Sequence, residues 1–322
     1  MKILITGVHG FVGSNLLSYW MREGAQVHTL YGLDIIAPEK AGLAKTFSWD
    51  DLDAGRVPEV DAVIHLAGKA HDTKNEAAAD VYFKVNTGLT QKIFDYFCAR
   101  PGIRKFVFFS TAKAAADRVD GVLTEDVVPA PVGPYGESKI AAERHILDCM
   151  RQNPSQFEGR GVYILRPCMI HGPGNKGNLN LLYNVVRRGI PWPLGAFENR
   201  RTFTSIDNLT FVISGILSKP IESGIYNMAD DKALSTNELI KTMCSAMGKK
   251  AHIWRINRSF INFIAKTGDF FHLPLNTFRL GKLTENYVVS NTKIKMALGI
   301  EKMPFDARDG LTKTIQSFQN HE

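Results

Sequence analysis

Tyr135 and Lys139 stand four residues apart in Tyr135-Gly136-Glu137-Ser138-Lys139. That spacing puts both on one face of a helix, so their heads can meet beside one ligand. A phenol with a pKa near ~10 is a poor base at neutral pH. A neighbouring ammonium and an oxidised nicotinamide would both favour phenolate and draw that value toward the working range. An isolated Tyr-x-x-x-Lys is more often an ordinary surface pair, but this one has company. Gly7-Val8-His9-Gly10-Phe11-Val12-Gly13 follows an apolar run, Met1 to Thr6, and precedes a helical pattern from Ser14 that stops at Gly24. Gly7 lets the chain leave a strand in a tight turn. Gly10 lets backbone approach a pyrophosphate, and Gly13 lets helix pack on strand. The N–H groups and dipole of the helix N-terminus favour phosphate.

These groups need elements to position them. Gln26 to Tyr31 reads as the second strand, with Asp34 as the first carboxylate after it. An acidic residue there suits the ribose hydroxyls of NAD, and no Lys or Arg follows the strand until Lys40, so NAD is expected and NADP stays open. Asp34 reads equally as a solvated loop residue. Thr46 to Trp49 reads as a third strand, with Asp51 and Leu52 placed near the adenine amine. Asp61 to Gly68 is a buried strand ending in Leu66, Ala67 and Gly68, where backbone can pass close to a cofactor; His65 within it reads as a satisfied core histidine. Ala77 to Ala99, carrying Asn86, and Pro134 to Met150 read as helices, and Lys105 to Ser110 and Gly161 to Arg166 as strands. Near-continuous apolar strands alternating with helices predict an α/β fold, a doubly wound parallel sheet. Residues 1–166 form the nucleotide domain, which also receives roughly 202–226. Residues 167–322 supply mainly a smaller substrate-binding lobe. Lys249 to Asn286 mixes cations with Phe260, Phe263, Phe270 and Phe271. It reads as a membrane-surface helix or, given the breaks at Gly268 and Pro274, rather as a lid packed on the core.

The chain of 322 residues is 44% hydrophobic and 22% charged, with a net charge of +7, ordinary for a globular protein. No Lys/Arg block resembles a nucleic-acid tail. The four cysteines form no Cys-x-x-Cys pair, which argues against a zinc site or a disulfide framework and fits a reducing cytoplasm. No apolar run reaches the ~18 residues of a membrane span, and the strand at Met1 leaves no room for a signal peptide.

Thr6-Gly7…Gly10-Phe11…Gly13, Leu66-Ala67-Gly68, Asn86, Ser110-Thr111, Tyr135…Lys139, Arg166-Pro167 and Arg201-Thr202-Phe203…Asp207 resemble, in order and spacing, the extended short-chain dehydrogenase/reductases, and among them the nucleotide-sugar epimerases, dehydratases and 4-keto-reductases. The resemblance runs through essentially the whole chain. It implies a Rossmann-like sheet and a cofactor site of Gly7, Gly10, Phe11, Val12, Gly13, Asp34, Asp51, Leu52, Leu66, Ala67, Gly68, Asn86, Tyr135, Lys139 and Pro167. It implies catalysis by Thr111, Tyr135 and Lys139, and no metal. A UDP-sugar would be held by Arg201 and, at further positions, Lys113, Asn178, Arg279 and Lys282. A two-fold dimer is implied through the helices Ala77–Ala99 and Pro134–Met150.

Departures from the family narrow the chemistry. Sugar 4,6-dehydratases carry Asp-Glu directly after the catalytic Thr; Ala112-Lys113 here removes those carboxylates. Arg166-Pro167-Cys168-Met169 lacks the Asn of typical UDP-galactose 4-epimerases. What remains is action at carbon 4 of a UDP-hexose or UDP-N-acetylhexosamine, as 4-epimerase or 4-keto-reductase, in polysaccharide precursor synthesis of the bacterial type. A non-catalytic nicotinamide-binding sensor on the same fold commonly loses the Tyr or the Lys, and both are present.

Overall fold

The computed structural model describes residues 1–22, 28–69, 78–175, 177–271 and 276–319. The expectations for Gly24, the Gln26–Val27 start of the second strand, Ala77 and Pro274 lie outside these residues, as does the side chain of Asn178. The apolar runs form strands β1 (Lys2–Thr6), β2 (Thr29–Asp34), β3 (Lys45–Ser48), β4 (Ala62–His65) and β5 (Lys105–Phe109). Then come β6 (Val122–Leu123), β7 (Gly161–Pro167), β8 (Met169–His171), β9 (Phe203–Ser205), β10 (Gly224–Met228) and β11 (Val288–Val289). Seven build one parallel sheet in the order β10-β7-β5-β4-β1-β2-β3. The order reverses between β1 and β4, the crevice where open α/β sheets take their ligands.

The helices are α1 (Phe11–Arg22), α2 (Trp49–Asp53), α3 (Ala79–Tyr82), α4 (Leu89–Cys98), α5 (Ala112–Ala115), α6 (Pro134–Gln152) and α7 (Asn178–Arg187). They continue with α8 (Ile206–Ser218), α9 (Thr236–Ala246), α10 (Arg258–Phe271), α11 (Thr277–Thr284), α12 (Thr292–Leu298) and α13 (Ala307–Gln319). One face of the sheet buries Ile3, Ile5, Ile64 and Val107 under Leu16, Trp20, Leu209 and Ile213 of α1 and α8. The other buries Leu4, Val63, Phe106 and Phe108 under Phe94, Phe97, Ala142 and Ile146 of α4 and α6. Strands covered on both faces read as continuous apolar runs, because neither face meets water.

Two differences from the sequence reading have physical causes. The expected helix up to Ala99 is interrupted by a π-helical turn, Phe83–Gly88, between α3 and α4. That turn holds Asn86, and such bulges concentrate at functional sites. The chain also returns to the sheet late, over the segment read from sequence as rejoining the nucleotide domain: α8 covers the sheet and β10 pairs with β7. The aromatic residues of α10 do not pack as a lid. Phe260, Phe263, Phe270 and Phe271 are exposed, and the helix buries Ile261, Ala265 and Gly268 instead.

Among the described residues no helix is long and apolar enough to cross a membrane, and no group of three His, Cys, Asp or Glu could hold a metal ion.

Candidate active site

The C-terminal ends of β1, β4, β5 and β7 gather the predicted residues. Gly7 takes a positive φ of 68°, which lets the chain turn sharply out of β1. The first full helical bond of α1 runs from the Ser14 N–H to the Gly10 carbonyl at 2.9 Å. The N–H groups of Phe11, Val12 and Gly13 therefore lie in the first turn, without intrahelical acceptors. Asp34 ends β2 beside this turn, where its carboxylate accepts the N–H groups of His9 at 3.0 Å and Ile35 at 2.9 Å. Lys40 folds back onto the turn, donating to the Val8 carbonyl at 3.1 Å and to Ser14 Oγ at 2.7 Å. The cation that the sequence placed beyond the end of β2 is thus a neighbour of Asp34, and burial lowers its pKa.

A second cradle lies across the crevice. A Cβ on Gly68 would stand 3.0 Å from Asn86 Oδ1 and 3.1 Å from Lys139 Nζ, so the glycine keeps space open above both groups. Asn86 is fixed by the N–H and carbonyl of Lys69 and by Ser138 Oγ at 3.0 Å. Glycine turn, carboxylate and Gly68 cradle fit a dinucleotide; Leu66, Ala67 and Pro167 contribute backbone at strand ends. Asp51 already has protein partners. It closes a capping box with Ser48 at the start of α2 and pairs with Arg56 at 2.6 Å.

Beneath the cradle a chain of hydrogen bonds joins the strand ends. The Ala67 N–H donates to Thr6 Oγ1, which meets His65 Nδ1 at 2.7 Å; His65 Nε2 meets Thr90 Oγ1, and Thr90 donates to the Asn86 carbonyl at 2.6 Å. Because Thr90 gives its one proton to the Asn86 carbonyl, its oxygen accepts from His65 Nε2–H, and the unprotonated Nδ1 accepts from the Thr6 hydroxyl. Burial, reinforced by the Lys139 charge, holds the His65 pKa well below its usual value. His65 is the satisfied core histidine expected, with a defined tautomer.

The reacting groups come from α5 and α6. Thr111 caps α5, its side chain accepting from the Lys113 N–H, and its hydroxyl acts on the Tyr135 phenol. Burial pushes the Tyr135 pKa up, the Thr111 bond acting against it. The expected depression of the phenol by Lys139 is therefore overridden in the protein alone. Desolvation disfavours phenolate more than its neighbours favour it, and a bound cationic nicotinamide would act in the opposite sense. Lys139 is 5% exposed and donates to the Phe109 carbonyl at 2.8 Å. Burial lowers its pKa to about 8, against the attraction of Glu143.

Glu143 was not expected. It lies one turn beyond Lys139, fully buried, accepts from Ser110 Oγ, and forms an ion pair with Arg166 at 2.5 Å. Tyr135, Lys139 and Glu143 continue one i, i+4 ladder along α6, a signal present in the sequence but unreadable without its buried partner on β7.

The substrate cations are joined by two carboxylates. Lys113 Nζ meets Asp117 at 2.7 Å, and Asp117 meets Lys282 of α11 at 3.0 Å. Glu285 pairs with Arg201 at 2.9 Å, and Arg201 also donates to the Lys282 carbonyl. Lys113, Lys282 and Arg201 are thereby gathered in one ion chain that begins two residues from Thr111. Arg279 is exposed in the first turn of α11, and Asp207 pairs with Lys313 at 2.9 Å.

Residues 3–229 match the model of the NAD dependent epimerase/dehydratase family, more than half the chain. The chain belongs to that family. It is 30% identical to a UDP-glucose 4-epimerase of Vibrio cholerae, the match covering 98% of this chain and 95% of that protein. It is 24% identical to the N-acetyl-alpha-D-glucosaminyl-diphospho-ditrans,octacis-undecaprenol 4-epimerase of Escherichia coli O157:H7, over 98% and 94%. In fold it matches the UDP-glucuronic acid 4-epimerase of Bacillus cereus, solved in complex with NAD, over 100% of both chains, with a TM-score of 0.74 and 21% identity. It is thus a nicotinamide-dependent enzyme with the Rossmann-like sheet of its family.

Proposed function

We propose that this family member acts at carbon 4 of a UDP-hexose or UDP-N-acetylhexosamine. The observation that carries the reading is the grouping of the Thr111 hydroxyl with the Tyr135 phenol, one helical turn before the buried Lys139 ammonium that stands beside Gly68. Tyr135 exchanges a proton with the oxygen on carbon 4, and Thr111 steadies that oxygen. Lys139 supplies positive charge to the phenolate and reaches the cofactor ribose. The turn Gly7–Gly13 holds the pyrophosphate and Asp34 the adenosine ribose, which favours NAD, with NADP admissible. When bound, the nicotinamide supplies hydride acceptance and return. Absence of carboxylates at Ala112-Lys113 speaks against 4,6-dehydration. Between the two remaining variants, the 4-epimerase is favoured because relatives spanning nearly the whole chain carry that name.

The test is incubation with UDP-glucose, UDP-N-acetylglucosamine and UDP-glucuronic acid without added reductant. Equilibration at carbon 4 with the nicotinamide unchanged is expected for at least one. Stoichiometric consumption of NADPH or NADH with a keto-sugar would establish the reductase instead, and no turnover of any UDP-sugar would overturn the reading.

Arg201 is assigned to the diphosphate, with Lys113, Lys282, Arg279 and Asn178 as further substrate contacts. In this assignment the UDP phosphates take the place of Glu285 on the guanidinium, which can bond two phosphate oxygens at once. Charge-assisted bonds are worth ~1.5–3 kcal/mol, so Arg201→Ala is expected to weaken UDP binding about 10- to 100-fold. Cofactor affinity should be unchanged. Calorimetry giving parental UDP affinity would move the phosphate site toward Arg279 and Lys282.

The chain is further proposed to form a homodimer through the outer faces of α4 and α6, since closed two-fold pairs are the commonest soluble assemblies. Light scattering should give twice the chain mass at micromolar concentration; a monomer there would contradict it.

A further inference from the structure

Helix α10 has two apolar faces. At 100° per residue, Ile261, Ala265 and Gly268 share the buried stripe, and Phe260, Phe263, Phe270 and Phe271 fall within about 100° of one another on a separate stripe centred about 140° away. A helix needs one apolar stripe to dock on its own core; the second stripe faces out. Phe270 is 78% exposed and Phe263 67%. Helix α11, tied to α10 by the Thr277–Asp269 hydrogen bonds at 2.7 and 3.1 Å, adds Phe278 at 68%. Trp254, just before α10, is exposed as well. Contiguous exposed aromatics of this kind mark an interaction surface rather than scattered surface residues.

Charge identifies the occupant. Between Lys249 and Asn286 seven lysines and arginines stand against Asp269 and Glu285 alone, a net +5 of the chain's +7. Glu285 is moreover engaged by Arg201. Lys266 is exposed on α10, between its acidic and aromatic sides.

We infer that the outward face of α10 and α11 docks on the surface of a bilayer carrying anionic lipid headgroups. The phenylalanine rings enter the boundary between headgroups and acyl chains, and the surrounding cations remain at the lipid phosphates. A second copy of the chain is a poorer occupant: a two-fold contact sets a face against itself and would bring these cations together. The face continues toward the candidate substrate site, because α11 also carries Lys282 of the ion chain. The inference rests on this surface and is independent of the proposed reaction.

Sedimentation of the full chain with vesicles tests it. Vesicles of phosphatidylcholine containing about one-third phosphatidylglycerol should carry the protein into the pellet. Vesicles of phosphatidylcholine alone should carry far less, and raised salt should release it. The double variant Phe263→Ser/Phe270→Ser should partition at least ~10-fold less, with thermal melting and turnover unchanged, as expected for solvent-facing positions. Parental protein that stays in the supernatant with anionic vesicles, or a double variant that pellets like the parent, overturns the inference. So does light scattering in which the substitutions convert an oligomer to a smaller species, which would assign the face to a second copy.

Discussion

Tyr135→Phe is expected to fold and bind cofactor like the parent and to lose at least ~10²-fold in turnover, the lower range for a positioned acid–base group. The ring contributes packing that phenylalanine preserves, including the edge contact with Tyr82 at 6.3 Å between centroids. Only the hydroxyl that meets Thr111 disappears. Binding and chemistry therefore separate cleanly. Cofactor affinity by calorimetry and steady-state turnover should diverge, and near-parental turnover would remove Tyr135 from the mechanism.

Glu143→Ala should be the most destabilising single change near the site. The substitution strands the Arg166 guanidinium, 1% exposed on β7, without its counter-charge, and breaking one side of a buried ion pair typically costs ~3–5 kcal/mol. One guanidinium nitrogen, Nη1, already lacks a protein partner, so little compensation is at hand. Urea denaturation should show the full loss, with Glu143→Gln intermediate because an amide still accepts from Ser110. A loss under ~1 kcal/mol would mean that the pair contributes little, as exposed pairs do.

The same change acts on Lys139. Its pKa of about 8 in the folded protein lies below the ~10.4 of the unfolded chain. Burying the ammonium therefore costs stability below pH 8, and that cost is relieved as pH rises from 8 toward 10. Removing Glu143 deletes the attraction that raises this pKa, so the penalty at neutral pH grows.

Much of the site could be read from sequence because its signals are local. A glycine turn between strand and helix and a Tyr–Lys pair at i, i+4 need only their own neighbours to be meaningful. Asn86 can be singled out in the sequence, but its π turn cannot, since apolar periodicity at 3.6 residues carries no mark of one inserted residue. Glu143 was missed because a carboxylate on a helix reads as solvated until Arg166, 23 residues on, is known to face it. Periodicity likewise registers the phenylalanines of α10 as an apolar stripe without saying whether anything covers it. Asp51 shows the converse, a plausible ligand group of which one oxygen sits in a local helix cap and the other on Arg56.

The late return of α8 and β10 to the sheet has a consequence for synthesis. On a ribosome, β1 and α1 emerge first, yet the partners of Leu16, Leu17 and Trp20 include Leu209, Val212 and Ile213, and the Trp20 indole donates to Ser214 Oγ at 3.0 Å. Nearly two hundred residues must be translated before that flank of the nascent sheet is covered, and β7 keeps an open edge until Gly224–Met228 arrives. The nascent protein therefore passes much of its elongation as a half-roofed sheet. During that interval holdase chaperones and premature association compete for the same bare surface.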